Sequence, residues 1–218
     1  MTPPRVTVLQ LDTRFPRIPG DVACMDTYAR PPQILRVAQA GVARVVAPDP
    51  ENVDIAPFLE AMDQATGDVI VTSCGFLAPF QDRLAAATDR PVIASALGAL
   101  DHMAGVRPED LAILTFDAAA LGPAHLGGRA GYCASVLGLP EGGHLRLVIA
   151  QDGRNLDPGR AAQEVAALLP HHVTTVLLEC TNLPPYKPDL RAVRDVVIHD
   201  ILTEIERRAP GAIAPVHL

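Results

Sequence analysis

The chain has no tryptophan, and aromatic residues make up only 4% of its 218 positions. It therefore lacks the stacking platforms on which proteins hold single-stranded nucleic acid. Cations are in deficit as well, with 18 lysines and arginines against 25 acids and a formal net charge of -7. A polyanion partner calls for a basic face, so no nucleic-acid partner is expected. No apolar run approaches the roughly 20 residues that span a bilayer. The start, Met1-Thr2-Pro3-Pro4-Arg5, runs straight into a strand pattern without a secretory apolar core. The expectation is a cytoplasmic protein with no membrane partner.

Cysteine is sparse and widely spread. Cys24, Cys74, Cys133 and Cys180 form no C-x-x-C pair, and neither zinc-ligand spacing nor H-E-x-x-H is present. His199 has no partner histidine at i+4, and His171-His172 reads as a solvated turn, so no metal is expected. The segment Gly127-Gly128-Arg129-Ala130-Gly131 lacks G-x-G-x-x-G spacing, which argues against a dinucleotide. Proline is plentiful, at 21 residues, but it is scattered over loops and helix starts and marks no disordered linker.

What the chain does contain is strand patterns alternating with helix patterns. Strands are expected at 5–11, 42–47, 69–72, 91–94, 111–115, 145–150 and 173–178. Helices are expected at 32–40, 55–66, 79–88, 96–104, 118–126 and 158–169, with one long amphipathic helix over 188–208. The Gly-rich segment 127–143 resists assignment. This alternation implies an α/β fold with mostly parallel sheets flanked by helices.

Two strands carry the chemistry. Val69-Ile70-Val71 ends in Thr72-Ser73-Cys74-Gly75, and Val176-Leu177-Leu178 ends in Glu179-Cys180-Thr181-Asn182. A lone cysteine in an apolar strand is usually packing. These two lie just past the apolar run, at the carboxyl edge where α/β sheets bind ligands. Small and hydroxyl neighbours free backbone N–H groups for an anion, and following helices are expected to lower a thiol pKa. Asp12 precedes Cys74 by 62 residues and Asp117 precedes Cys180 by 63, consistent with an internal duplication. Cys24 and Cys133 have no strand behind them and read as structural.

The motifs T-S-C-G and L-E-C-T-N, with L-D-T-R at the first strand exit, resemble those of the aspartate/glutamate/hydantoin racemase superfamily. The resemblance spans nearly the whole chain in length and strand order. It implies two pseudo-symmetric lobes with the active site in the cleft between them, no pyridoxal phosphate, no metal, and a homo-oligomer. The lobes are expected at 1–97 plus 186–218 and at 98–185. By the same resemblance Cys74 and Cys180 are the acid/base pair, Thr181 binds a substrate carboxylate, and Asp12 stands beside the first thiol. The chain departs from the amino-acid racemases at Gly75, where they have asparagine, and at Asn182, where they have histidine or an acid.

Facing thiols can invert a carbon next to a carboxylate, one taking the proton and the other delivering one. Near-attack contact on both faces implies sulfurs about 6–8 Å apart, too far for a disulfide. The developing enolate needs fixed donors, for which Ser73, Thr115, Thr181, Asn182 and the backbone of Gly75 are candidates, while Asp12, Thr13 and Arg14 at the first strand exit are expected to bind substrate. Arg14 and Arg17 could clamp a second acidic group. The expected activity is a cofactor-independent racemase or epimerase acting on a small carboxylate- or amide-bearing substrate. The alternatives are a lyase, decarboxylase or cis–trans isomerase of the same superfamily, or a small-molecule binder.

Overall fold

The computed structural model describes residues 2–103 and 105–218. Met1 and Ala104, which open the expected start and close the expected helix at 96–104, lie outside the described residues. The elements run β1 (Val6–Leu11), β2 (Gln33–Val37), α1 (Val42–Val45), α2 (Ala56–Met62), β3 (Val69–Thr72), α3 (Gln81–Ala85) and β4 (Val92–Ile93) in the first half. The second half runs β5 (Leu111–Thr115), α4 (Pro123–Leu126), β6 (Val136–Gly138), α5 (His144–Ala150), α6 (Pro158–Ala167), β7 (Thr175–Leu178), α7 (Lys187–Val193), β8 (Val197–Asp200) and α8 (Ile201–Arg208). Short 3-10 turns join them, among them Gly75–Phe80 directly after Cys74. No helix is long and apolar enough to cross a membrane among the described residues.

Two four-stranded sheets result, ordered β2-β1-β3-β4 and β6-β5-β7-β8, and every pairing is parallel. The strand order is the same in both, so the duplication inferred from spacing is present in the topology. The central strands are mostly apolar and buried over their whole length, as parallel strands between helix layers must be. Strand alternation then divides the core. Ile113 and Leu177 face the cluster shared with the first sheet, whereas Leu114, Val176 and Leu178 face a second cluster with Leu145, Ile149, Ala161 and Leu190.

Four sequence expectations are corrected here. Residues 33–37 are an edge strand, paired Leu9 to Leu35, rather than a helix. Residues 42–45 are a single helical turn and 144–150 a helix, where strands were expected. Short apolar runs such as Val42-Ala43-Arg44-Val45-Val46 fit either period, and only pairing decides. The expected helix over 188–208 is broken by β8, a β-branched run ending at Asp200. The Asp200 carboxylate accepts from Thr203 N at 2.8 Å and starts a new helix. Of the segment 186–218 assigned to the first lobe, β8 therefore pairs into the second sheet, and α8 packs against β3 and β4 of the first.

Candidate active site

Cys74 stands two residues beyond the end of β3, and Cys180 two residues beyond β7. The residue before each thiol is stitched to the neighbouring strand in the same way. Ser73 N donates to Leu9 O at 3.0 Å, and Glu179 N donates to Leu114 O at 2.9 Å. Equivalent strand exits in equivalent sheets thus deliver the two thiols to one cavity between the lobes. Its walls are Leu11, Phe15, Val42, Val46, Phe76, Phe116 and Ile149. Its polar floor is Arg17, Ser73, Glu179, Thr181 and Asn182. The open space is about 30 Å³, room for a water or two.

Thr181 joins the two halves directly: its hydroxyl donates to Ser73 O at 2.7 Å. The Ser73 hydroxyl is committed in turn, accepting from Leu11 N at 2.9 Å. Asn182 serves two partners, since its amide donates to Asp21 Oδ2 at 2.7 Å and its carbonyl faces the Cys180 sulfur at 3.7 Å. Asp21 also takes both oxygens to Arg17 Nη1 at 3.2 Å. Arg17 is fixed further by Nη2 on Thr13 Oγ1 at 2.9 Å and by its guanidinium lying 4.1 Å over the Phe15 ring. Its Nε is buried with no partner among the described residues, leaving one unspent donor at the cavity.

The sequence-derived candidates thus divide. Ser73, Cys74, Gly75, Cys180, Thr181 and Asn182 line the cavity. Thr115 lies behind it, donating to Glu179 Oε2 at 2.6 Å, and Thr13 holds Arg17 from outside. Asp12 and Arg14 are exposed and are not among the lining residues. Asp12 accepts from Gln39 N, closing the turn after β2. Cys24 and Cys133 are free thiols away from the cavity.

Sequence reasoning passed over Glu179 as a site residue. It is fully buried, lines the cavity, and its Oε1 has no partner among the described residues. Desolvation pushes its pKa from the usual 4.5 up to about 7, against the Thr115 hydrogen bond that favours the ionised form. The signal was present, since a glutamate directly after Val176-Leu177-Leu178 has no exposed face to occupy.

Neither thiol is acidified, contrary to the expectation. Burial first, then the charge of Glu179, pushes Cys74 up to about 12 and Cys180 higher still. The N–H groups of Phe76 and Asn182 oppose the rise but are outweighed. A thiolate here must be made inside the cavity, not by loss of a proton to water.

No family model matches the chain. Among solved structures it is similar to allantoin racemase from Pseudomonas fluorescens. That match has a TM-score of 0.57 and 14% identity, and it covers 97% of this chain and 94% of that one. A second match is glutamate racemase from Campylobacter jejuni, with a TM-score of 0.52 and 16% identity over 96% and 88% of the two chains. The chain shares the fold of these two racemases. In sequence, this racemase-fold chain is 27% identical over 221 residues to a dimethylsulfoniopropionate lyase from Durusdinium sp. clade D. The alignment covers 91% of this chain and 72% of the relative. The same fold carries different reactions, so the chemistry must be argued from the cavity.

Proposed function

We propose that the chain is a cofactor-independent enzyme that removes a proton from the carbon next to a carboxylate, with Cys74 and Cys180 as the acid/base pair. The observation that carries this reading is that both thiols, from equivalent strand exits, line one buried cavity. Racemisation or epimerisation uses them in turn: one sulfur accepts the proton, and the other donates a proton to the opposite face. The substrate carboxylate is held by Arg17 through its unpartnered Nε–H. The second N–H of the Asn182 amide and the backbone N–H of Gly75 face the developing enolate, the Thr181 hydroxyl being committed to Ser73 O. A walled, apolar site strengthens these contacts by excluding water.

A second reading is β-elimination, favoured by the lyase relative that aligns over 91% of the chain. Elimination needs only the first half of the same chemistry. A thiolate takes the proton next to the carboxylate, the electron pair forms the double bond, and the leaving group departs. With dimethylsulfoniopropionate the products are acrylate and dimethyl sulfide, and the removed proton remains on the thiol.

Incubation in deuterium oxide separates the two. A racemase places solvent deuterium at the substrate carbon and inverts it, and Cys74→Ser or Cys180→Ser each abolish inversion. A lyase releases acrylate and dimethyl sulfide, and one of the two serine variants retains activity. Trials with allantoin, the glutamate and aspartate enantiomers and dimethylsulfoniopropionate cover both. Absence of exchange and of elimination with all of them would overturn the enzymatic reading and leave a binding protein.

A further inference from the structure

Glu179 is the one feature of the cavity that neither reading has used. Its carboxyl is fully buried, and Thr115 Oγ1 is its hydrogen-bond partner, on Oε2. The other oxygen is buried with none among the described residues. Buried carboxylates are normally paired, because taking an unpaired charge out of water is strongly unfavourable. Of the charged groups nearby, the Asp21 carboxylate is already paired, and Arg17 keeps only its Nε–H free among the described residues. Arg17, from the connection after β1, is held by Asp21 and Thr13, and Asp21 is held by Arg17 and Asn182. What remains around Glu179 is Cys180, next in the chain, and Cys74, from the loop after β3. Both feel its charge. Gly75 clears the space, since any β-carbon there would collide with Oε1.

We propose that Glu179 is the proton store of this site: its carboxylate takes the proton from a cavity thiol as the thiolate forms and returns it afterwards. The step breaks one S–H bond and forms one O–H bond. The negative charge moves from oxygen to sulfur, and nothing is oxidised or reduced. The cavity holds one negative charge before and after, so no further charge has to be desolvated. The repulsion that opposes thiol ionisation disappears once the carboxyl holds the proton, so the three groups titrate together. The proposal rests on the thiol reading above, and Glu179 acts through the thiols without touching substrate.

The test uses the full chain with iodoacetamide as a neutral probe. The peptides carrying Cys74 and Cys180 are quantified by mass as a function of pH. In the natural chain the alkylation rate should show an inflection near pH 7, where Glu179 titrates. Glu179→Gln keeps the shape and removes the titration, so the inflection should vanish. Thr115→Val, which removes the hydrogen bond favouring the ionised form, should move the inflection to higher pH. Should Glu179→Gln fail to fold, Thr115→Val decides alone. Turnover of whichever substrate is accepted should fall by about 100-fold or more in Glu179→Gln with KM little changed. Identical alkylation profiles in the natural chain and Glu179→Gln, or an unmoved inflection in Thr115→Val, overturn the proposal. If no substrate is turned over by the natural chain, the enzymatic reading fails while the alkylation profiles still decide the role of Glu179.

Discussion

A β-carbon placed on Gly75 would stand 2.0 Å from Glu179 Oε1 and 2.6 Å from the Glu179 carbonyl oxygen. The residue after one thiol and the residue before the other are thus in contact across the two lobes, and only hydrogen fits between them. Gly75→Ala must displace either the carboxyl or the strand exit that carries it. Overpacking of this kind costs about 1–3 kcal/mol, a loss of roughly 2–4 °C in melting temperature per kcal/mol for a chain of this size. The clash has a side-chain part and a backbone part. Adding Glu179→Ala to Gly75→Ala should therefore recover part of the loss, and a thermal double-mutant cycle reads the coupling.

Glu179 also gives stability a pH dependence of definite sign. Its pKa is raised in the folded chain, from 4.5 to about 7, so between those values the folded state binds more protons than the unfolded one. Stability from this group is greatest below pH 4.5, declines as pH rises, and reaches its full penalty above pH 7. The penalty is a few kcal/mol, at about 1.4 kcal/mol for each tenfold shift in the equilibrium. Urea melts should show Glu179→Gln gaining on the natural chain as pH rises from 5 towards 8, at about the pH values that bracket the shift. A difference that is constant across that window contradicts the assignment.

Much of this site was legible in sequence because strand ends are. The runs Val69-Ile70-Val71-Thr72 and Thr175-Val176-Leu177-Leu178 are apolar, β-branched and abruptly terminated, and both thiols fell where the pattern put them. The elements that eluded it are those that local pattern does not determine. The edge strand at Gln33–Val37 is half exposed, and β8 hides in what reads as one amphipathic helix. The thiol pKa values went the other way because acidification was argued from backbone dipoles alone. Burial and a neighbouring carboxyl, both tertiary facts, outweigh those dipoles. Asp12 was matched to the site by its place at a strand exit, but its carboxylate closes a turn to Gln39.

Lys187 and Asp200 form a buried ion pair at 2.8 Å, with side chains 3% and 0% exposed. The pair ties the first residue of α7, which follows the Cys180 loop, to the end of β8. Lys187→Met keeps most of the volume and strands the Asp200 charge in the interior. Breaking a buried pair from one side costs about 3–5 kcal/mol, so chemical denaturation should show a large loss at pH 7. The double variant Lys187→Met/Asp200→Asn should be more stable than the single one, because no unpaired charge remains.

Arg17 offers a test of substrate recognition that leaves the thiols alone. Its guanidinium spans Asp21 and Thr13 and lies over Phe15, leaving Nε–H free. Lysine keeps the charge but has neither the planar fork nor the Nε donor, so Arg17→Lys cannot reproduce this geometry. If Arg17 holds the substrate carboxylate, KM should rise by about tenfold or more, the value of one charge-assisted hydrogen bond. The effect on kcat should be smaller, because that contact is made equally in the ground and transition states. A matched fall in kcat with KM unchanged would move Arg17 from substrate binding to stabilisation of the enolate, and initial-rate kinetics over a range of substrate concentrations distinguish the two.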